Sequence, residues 1–315
     1  MNEFQTVLLA VLPVFGVMIA GILMRKWEWL TEEADKSLLR VTVNVLAPCL
    51  IFDSILQNQA LKQIGNVVLA PVVGFGTVAL GMGVAFLLKR FSGLRERSAI
   101  STFILCVGLY NYGYISVPLA TSLFDRETVG VLFVHNLGVE IALWTLGLMV
   151  LSGGTAGKAW RKIFNPPVIA VLVTIPLNFL HGDQWIPQAI LTTIKMLGVC
   201  AIPMGLILIG ATMADHLHEF HSRSSWQSIV ASCLLRCALL PILFLLLAKY
   251  LPCSVELKRV IILQSAMPTA TFSIVMARHY GGDAATALRI LLATSVIGLV
   301  SIPFWIRFGI KFVGL

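Results

Sequence analysis

The sequence predicts an all-α protein embedded in a lipid bilayer, because charged residues are scarce and apolar residues form long runs separated by short polar segments. Of the 315 residues, 58% are hydrophobic and only 12% are charged, whereas soluble domains carry about 25% charged residues. A helix that crosses a bilayer needs roughly 20 mostly apolar residues. Because backbone polar groups cannot stay unpaired in hydrocarbon, runs this apolar must be helices.

Ten such runs follow one another along the chain. They lie near residues 5–24, 37–57, 65–88, 98–122, 128–151, 166–181, 188–213, 226–250, 257–279 and 285–311. The first run has no basic segment before it and no small-residue cleavage site after it, so it is interpreted as a span and not as a signal peptide. The spans fill nearly the whole sequence, which predicts one membrane domain over residues 1–315.

The distribution of basic residues predicts the orientation in the membrane. Fourteen lysines and arginines lie in or beside the loops that follow the odd-numbered spans, and seven lie on the other side. Basic loops stay in the cytoplasm, so both termini are expected on the extracytoplasmic side. The net charge of +8 is explained by these loops, and no basic patch interleaved with aromatic residues indicates nucleic-acid binding.

The two halves of the sequence contain similar segments. YNYGYISVPLATSLFDRETVGVLFV in spans 4–5 and SAMPTATFSIVMARHYGGDAATALRILLA in spans 9–10 each join a polar, proline-containing helix to a second helix through a short loop with an aspartate. Spans 2 and 7 each carry a proline in mid-helix, Pro48 and Pro203. Five spans in each half, residues 1–155 and 160–315, would place the halves in opposite orientations, as in the inverted repeats of secondary transporters.

Spans 4 and 9 are predicted to be broken near the middle of the bilayer. Pro118 lacks an N–H group and follows the flexible Gly113, while Pro268 follows Gln264 in a segment rich in small hydroxylic residues. A broken helix exposes free N–H groups and the positive end of its dipole, which favours binding of a carboxylate. The alternative is an ordinary kink at each proline, satisfied by neighbouring serines and threonines.

Ionisable residues within spans are costly and indicate function. Glu140 and Asn136 share one face of span 5, and Glu140 is the first candidate for carrying a coupling proton. A structural ion pair of Glu140 with Arg236 or Arg289 is the alternative. Arg236, in the middle of span 8, could pair with Glu140 or attract an anionic substrate, and both interpretations remain open.

Other polar residues carry weaker signals. Asn44 precedes Pro48 by one turn, so it is expected either to satisfy that kink by a hydrogen bond or to contact substrate. Asp53 ends span 2, where a solvated carboxylate is favoured over a role in ion coupling. The histidine spacing of segment 215–221 matches no common zinc motif, so a solvated loop is expected there and no metal site. The six cysteines are expected to pack as small apolar residues.

Four segments together resemble the auxin efflux carrier family, which includes plant PIN-type carriers and bacterial malonate and malate permeases. They are NVLAPCLIF, YNYGYISVPLA, AIPMGLILIGATM and AMPTATFSIVMARHYG, and they occur in the family's order along nearly the whole chain. The resemblance identifies Asn111, Pro118 and Pro268 as residues of the helix crossing. Only about 15 residues separate spans 5 and 6, which favours a compact permease of the bacterial inner membrane over a plant auxin carrier.

The resemblance also implies an architecture and a mode of transport. The fold would contain ten helices in two inverted repeats, similar in outline to the bile-acid sodium symporters. Helices 1, 2, 6 and 7 would form a scaffold that mediates a homodimer, and helices 3–5 and 8–10 a transport unit that moves like an elevator. The substrates would be organic anions.

The sequence therefore predicts a secondary carrier for small mono- or dicarboxylates, with a proton or sodium as the coupling ion and no other cofactor. The anion would lie against the half-helix ends, with Asn111, Tyr112, Gln264 and Thr269 donating hydrogen bonds and Arg236 or Arg289 balancing its charge. One alternative is a sodium-coupled symporter of larger amphipathic anions. A membrane receptor or enzyme is a second alternative, but no enzyme signature occurs.

Overall fold

The protein is built from α-helices. The computed structural model describes residues 3–153, 159–216 and 226–315, and within these ranges it contains no β-strand. The α-helices are α1 (Glu3–Lys26), α2 (Glu32–Val41), α3 (Ala47–Ile55), α4 (Ile64–Leu88), α5 (Arg97–Gly108), α6 (Ser116–Leu123), α7 (Arg126–Ala142), α8 (Leu148–Ser152), α9 (Pro166–Phe179), α10 (Gln188–His216), α11 (Trp226–Leu234), α12 (Leu240–Tyr250), α13 (Val255–Ala266), α14 (Phe272–His279) and α15 (Ala284–Val313). The all-α prediction is confirmed for the described residues.

Seven helical stretches of the described chain are long and apolar enough to cross a membrane. They are Val7–Lys26, Glu32–Ile55, Ile64–Ser92, Arg126–Ser152, Gln188–Asp215, Trp226–Tyr250 and Ala284–Val313. The helices α5 and α9 are apolar but shorter. Large apolar side chains such as Leu9, Val68 and Ile169 remain exposed, which water disfavours and lipid accepts. Length, composition and surface are those of a multi-pass membrane protein.

Three of the long stretches contain one π-helical turn each, so that two α-helices form a continuous rod. The turn Thr42–Leu46 joins α2 to α3, Leu143–Gly147 joins α7 to α8, and Leu235–Leu239 joins α11 to α12. Pro48 follows the first of these turns at the second position of α3, where the π turn has already altered the hydrogen-bond ladder. Pro203, which the sequence pairs with Pro48, lies inside α10, and that helix continues through it.

Helices from the two parts of the chain pack in matching pairs. The helix α1 packs against α10, and α3 packs against α9; these helices with α2 are called the scaffold group below. The helix α4 packs against α7, and α11 and α12 pack against α15. The helices α13 and α5 complete this second set, called the crossover group, by packing against α7 and α15 respectively. Each of these contacts has a counterpart in the other part of the chain.

Two helices of the crossover group begin with the same capping arrangement. The Asp125 carboxylate accepts hydrogen bonds from the Thr128 N–H (2.9 Å) and hydroxyl at the start of α7. The Asp283 carboxylate accepts from the Ala285 and Thr286 N–H groups and from the Thr286 hydroxyl at the start of α15. In both places a short helix ends, an aspartate caps the next helix, and a threonine three residues later supplies a second donor. The two loops, recognised in the sequence by their aspartates, are alike in structure.

Asp125 also joins the two parts of the chain, because Arg259 at the start of α13 pairs with its carboxylate at 2.5 Å. Burial raises the pKa of Asp125. The hydrogen bonds from Thr128 and Arg259 and the charge of Arg259 together lower it by more, so that the net pKa lies below its ordinary value. A carboxylate whose pKa is lowered by folding stabilises the protein above the pKa of the unfolded chain, and this contribution disappears as the pH falls through the folded pKa.

We therefore expect Asp125→Asn to lower the thermal unfolding temperature of the purified protein at pH 7, and to lower it progressively less as the pH falls below about 4 and through the lowered pKa of wild-type Asp125. Arg259→Met should reproduce part of this pattern. Lys258→Met changes a neighbouring cation that makes no ion pair with Asp125 in the described structure, and it serves as the control. A destabilisation by Asp125→Asn that is equal at neutral and acidic pH would contradict the argument.

Candidate functional site

The two predicted helix breaks meet in the crossover group. The first break lies between α5 and α6, at residues 109–115, and the second lies between α13 and α14, at residues 267–271. Tyr110 and Thr269 form an isolated antiparallel β-bridge. The Ala270 N–H donates to the Leu109 carbonyl (2.9 Å), and the Asn111 N–H donates to the Pro268 carbonyl (2.8 Å). Each break therefore supplies hydrogen-bond partners for backbone groups of the other break. Irregular backbone at membrane depth needs such partners, because lipid offers none.

The prolines occupy different positions in the two breaks. Pro268 lies within the second break, and Met267 before it is extended, as a residue preceding proline prefers. Pro118 was expected to break the first helix, but it lies in the first turn of α6, after the helix has already restarted at Ser116. That expectation is corrected: α5 ends at Gly108, where the backbone pairs with the second break. Gly113 does lie within the first break, as predicted.

A cavity of about 510 Å³ adjoins this crossing. It lies between the two helix groups: the α2–α3 rod, α9 and α10 form one side, and the breaks, α7 and α14 form the other. Its walls are largely apolar. The polar lining residues are Thr42, Asn111, Tyr112, Tyr114, Asn136, Glu140, Trp144, Lys162, Asn165 and Thr271. Among the described lining residues Glu140 carries the negative charge and Lys162 the positive charge.

Several N–H groups of the cavity lining have no acceptor. Those of Gly113 and Tyr114 in the first break, and of Thr271 and Phe272 at the start of α14, make no hydrogen bond within the described part of the chain. Asn111 organises the first break, since its Oδ1 accepts from the Ile115 N–H (3.1 Å) and its Nδ2 lies 3.5 Å from the Thr271 hydroxyl. Free N–H groups beside the starts of helices can bind an anion.

Glu140 accepts three hydrogen bonds in the cavity wall. The Tyr112 hydroxyl donates to Oε1 (2.7 Å), and the Trp144 indole N–H (3.0 Å) and the Asn165 side-chain amide (3.2 Å) donate to Oε2. Asn136, one turn earlier on α7, donates to the Tyr112 carbonyl (2.8 Å). The predicted pair on α7 therefore converges on Tyr112 of the first break. Neither Arg236 nor Arg289 contacts Glu140 in the described structure, so the structural ion pair considered for Glu140 is absent.

Arg236 is fully buried and lies outside the cavity lining. Its guanidinium donates to the carbonyls of Gln264 (3.1 Å), Ser265 (3.0 Å) and Met267 (2.9 Å) at the second break. The Gln264 carbonyl also accepts from the Met267 N–H (3.3 Å). A cation at the C-terminal end of a helix is favourable. Both interpretations left open for Arg236, a pair with Glu140 and a direct contact to an anion in this cavity, are thus replaced by a role in holding the end of α13.

Gln264 and Thr269 also lie behind the crossing and not in the cavity lining. The Gln264 side-chain amide donates to Asn136 Oδ1 (3.2 Å), and the Thr269 hydroxyl donates to the Cys106 carbonyl (2.8 Å). Both side chains are buried. The sequence predicts that they donate to substrate, whereas in the structure they connect the breaks to α7 and α5.

The remaining candidates lie away from the cavity. Arg289 is near Asp283 (3.9 Å) and donates to the Thr286 hydroxyl, within the first turns of α15. Asp53 is half-exposed and 3.7 Å from Arg126, as expected for a solvated carboxylate. Asn44 is exposed in the first π turn, and within the described residues its side chain makes no hydrogen bond that would satisfy the kink at Pro48. Most of segment 215–221 lies outside the described residues.

Sequence reasoning missed two polar lining residues, Lys162 and Asn165, which belong to the connection between the two halves of the chain. Lys162 and Asn165 precede α9, and Lys162 reaches the hydroxyl of Tyr280 at the end of α14. The sequence signal for Asn165 was present, because asparagine followed by two prolines is typical of a capped helix start, and its Oδ1 accepts from the Val168 N–H (3.0 Å). Lys162 was counted only as a basic loop residue.

Apolar helices of membrane-spanning length, with a cavity at the crossing of two broken helices, are features of membrane carriers. The chain belongs to the membrane transport protein family, that of the auxin efflux carriers, whose model matches residues 6–160 and 155–306. The resemblance drawn from the four sequence segments is confirmed, and the protein is a multi-pass membrane protein of a transport family.

The relatives are described as transporters too. An uncharacterized transporter of Methanothermobacter thermautotrophicus is 28% identical over 301 residues, which cover 94% of this chain and 96% of the relative. One of Methanocaldococcus jannaschii is 25% identical over 303 residues (94% and 96%). One of Escherichia coli is 22% identical over 311 residues (94% and 95%). The similarity extends over nearly the full length of each protein.

Proposed function

We propose that this protein is a secondary carrier of small organic anions such as mono- or dicarboxylates, and that the anion binds in the cavity beside the crossing of the two breaks. The observation that carries the proposal is the set of unpaired N–H groups at Gly113, Tyr114, Thr271 and Phe272, all in residues that line this cavity. Donors already fixed by the fold bind an oxyanion without reorganising.

The charges of the lining support the same assignment. The carboxylate of Glu140 is already occupied by three donors, so its charge is partly neutralised within the wall. Lys162 adds a cation to the lining. An anionic substrate would be held by the free N–H groups and attracted by this ammonium group.

We propose an architecture of ten membrane crossings in two inverted repeats, residues 1–155 and 160–315. The matching helix pairs, the two breaks and the repeated aspartate caps at Asp125 and Asp283 support it. The three crossings beyond the seven long stretches would be α9 and the two broken pairs α5–α6 and α13–α14. A movement of the crossover group against the scaffold group would carry the cavity across the membrane, as in an elevator mechanism.

A carrier of larger amphipathic anions coupled to sodium is the second candidate. The observation that favours it is the size of the cavity, about 510 Å³, and its largely apolar wall, which includes Phe133, Phe164 and Phe272. Such a wall would accommodate an apolar substrate body while the N–H groups bind its carboxylate. Uptake measured with and without sodium, for a small dicarboxylate and for an aromatic monocarboxylate, separates the two candidates.

The proposed setting is the bacterial inner membrane, with both termini on the extracytoplasmic side and a homodimer formed through scaffold helices. The excess of basic residues in the odd-numbered loops supports this orientation. The exposed apolar side chains of α1 and α9, such as Leu12 and Val173, are compatible with either lipid or a second copy. Cross-linking in native membranes tests the dimer.

The substrate class is tested by thermal unfolding of the purified protein with a panel of small organic acids, with and without sodium and at two pH values. A ligand that binds only the folded protein raises the unfolding temperature. The proposal predicts such a rise for at least one carboxylate and none for matched neutral amides. No rise with any carboxylate would overturn it.

We expect Asn111→Ala to reduce carboxylate transport in proteoliposomes at least about ten-fold, because the Asn111 side chain fixes the Ile115 N–H and the geometry of the free donors beside it. Gln59→Ala, which removes an exposed amide that is not part of the cavity lining, is the matched control and should transport normally. Folded Asn111→Ala protein with the wild-type transport rate would contradict the proposed site.

A further inference from the structure

Glu140 joins segments from both halves of the chain. Tyr112 belongs to the first break and Trp144 to the rod that contains Glu140, but Asn165 lies beyond the connection, at the start of α9 in the scaffold group. Asn165 is also the N-cap of α9. The hydrogen bond between Asn165 and Glu140 therefore fastens the scaffold group to the crossover group at the cavity wall.

The donor set around Glu140 fits an ionised carboxylate. The Trp144 and Asn165 N–H groups can only donate, so a proton on Oε2 would face two donors and find no acceptor. A proton on Oε1 would require the Tyr112 hydroxyl to reverse, and would leave Oε2 as a neutral carbonyl oxygen. Hydrogen bonds to a neutral acceptor are about half as strong as those to a carboxylate. Protonation at either oxygen thus weakens the bond to Asn165.

A second contact fastens the same connection to the crossover group. The Lys162 ammonium group donates to the Tyr280 hydroxyl, and it lies 5.5 Å from the centre of the Trp144 ring and 5.1 Å from that of Tyr280. Trp144 is therefore shared, since it donates to Glu140 and faces Lys162. In the described structure Lys162 makes no ion pair with Glu140, and Tyr114 completes the ionisable groups that line the cavity with Glu140.

We propose that Glu140 is a proton-controlled latch, which in its ionised form holds residues 162–165 against the crossover and on binding a proton releases them. These residues form one wall of the cavity, because Lys162, Phe164 and Asn165 line it. Release of the wall would open the cavity on that side. The consequence for transport rests on the proposed function, and it makes the proton the ion to which movement is coupled.

The sign of the pH dependence follows from the hydrogen bonds. At high pH the carboxylate accepts all three donors and the latch is closed. As the pH falls and Glu140 takes up a proton, the Asn165 bond weakens and the open form gains population. Glutamine at position 140 resembles the protonated acid, since one of its two terminal atoms is a donor. Glu140→Gln should therefore be open at every pH.

Hydrogen exchange of the purified full-length protein, corrected for the intrinsic pH dependence of exchange, tests the latch without any substrate. In wild-type protein, backbone amides of residues 162–165 should exchange about ten-fold faster at low pH than at high pH. Glu140→Gln should exchange fast throughout. Glu127→Gln, in the first turn of the same helix, is the control and should retain the wild-type pH dependence. If Glu140→Gln also retained that dependence, or if wild-type exchange did not change with pH, the latch would be refuted.

A second variant protects the test against misfolding at position 140. Asn165→Asp keeps an acceptor for the Val168 N–H and so preserves the cap of α9, but it replaces the donor to Glu140 by a carboxylate. We expect fast exchange of the same residues at neutral pH, with α9 otherwise protected. Exchange as slow as in wild type would count against the latch. The exchange experiment contains no anion, so a failed carboxylate screen would not change its result. Conversely, a refuted latch would leave the proposed anion site intact.

Discussion

Replacing Arg236 by methionine is expected to destabilise the protein by about 2–4 kcal/mol. The guanidinium supplies donors to the carbonyls of Gln264, Ser265 and Met267, none of which water can reach in this buried position. A buried acceptor left without a donor costs about 1–3 kcal/mol. Without Arg236 the Ser265 and Met267 carbonyls lose their donor, while the Gln264 carbonyl keeps the Met267 N–H (3.3 Å). Methionine avoids the cost of burying a charge, and this gain offsets part of the loss but not all of it.

The measurement is the unfolding free energy in detergent micelles, with carboxylate binding as a second readout. Arg236→Lys should be intermediate, because one ammonium group cannot match the planar fork that reaches three carbonyls. Lys36→Met removes an exposed cation on α2 and should be close to neutral. Wild-type stability of Arg236→Met would mean that the end of α13 does not depend on this cation.

Local sequence signals located the two breaks but not their boundaries. Proline and glycine act on the backbone next to them, so Gly113 and Pro268 marked the right segments. The end of α5 at Gly108 was not predictable in this way, because it depends on a segment far along the chain. There the Ala270 N–H donates to the Leu109 carbonyl, and the Pro268 carbonyl accepts from the Asn111 N–H. Tertiary pairing thus fixed the first break, and Pro118 had only to be compatible with the restarted helix.

The sequence shows which ionisable residues lie inside an apolar run, but it does not show which groups they pair with. Arg236 and Glu140 were recognised because an ionisable residue inside an apolar run is costly. Their partners are backbone carbonyls released by a break in one case, and an asparagine beyond the connection in the other. Neither kind of partner has a signature at a fixed spacing. The side of the cavity formed by Lys162 and Asn165 was missed for that reason.

The second substitution with a large expected effect on stability lies where two helices pack closely, a feature that the sequence does not reveal. A Cβ atom on Gly74 of α4 would lie 2.1 Å from the His135 carbonyl oxygen of α7, whereas a Cβ on Gly76, two residues later, would meet nothing within 4 Å. Small residues allow membrane helices to approach this closely. The obstacle at Gly74 is backbone, which cannot rotate away, so the two helices would have to separate.

Gly74→Ala is therefore expected to destabilise the protein by about 1–3 kcal/mol or more, and Gly76→Ala to stabilise it by about 0.5–1 kcal/mol through the lower entropy of the unfolded chain. Unfolding free energies of the two purified variants provide the comparison. Because α7 also carries Asn136 and Glu140, a shift of α7 away from α4 would disturb their bonds to Tyr112 and reduce transport as well. Equal effects of the two alanines would mean that α4 and α7 are not in close contact, and the position of Glu140 in the cavity wall would then lose its support.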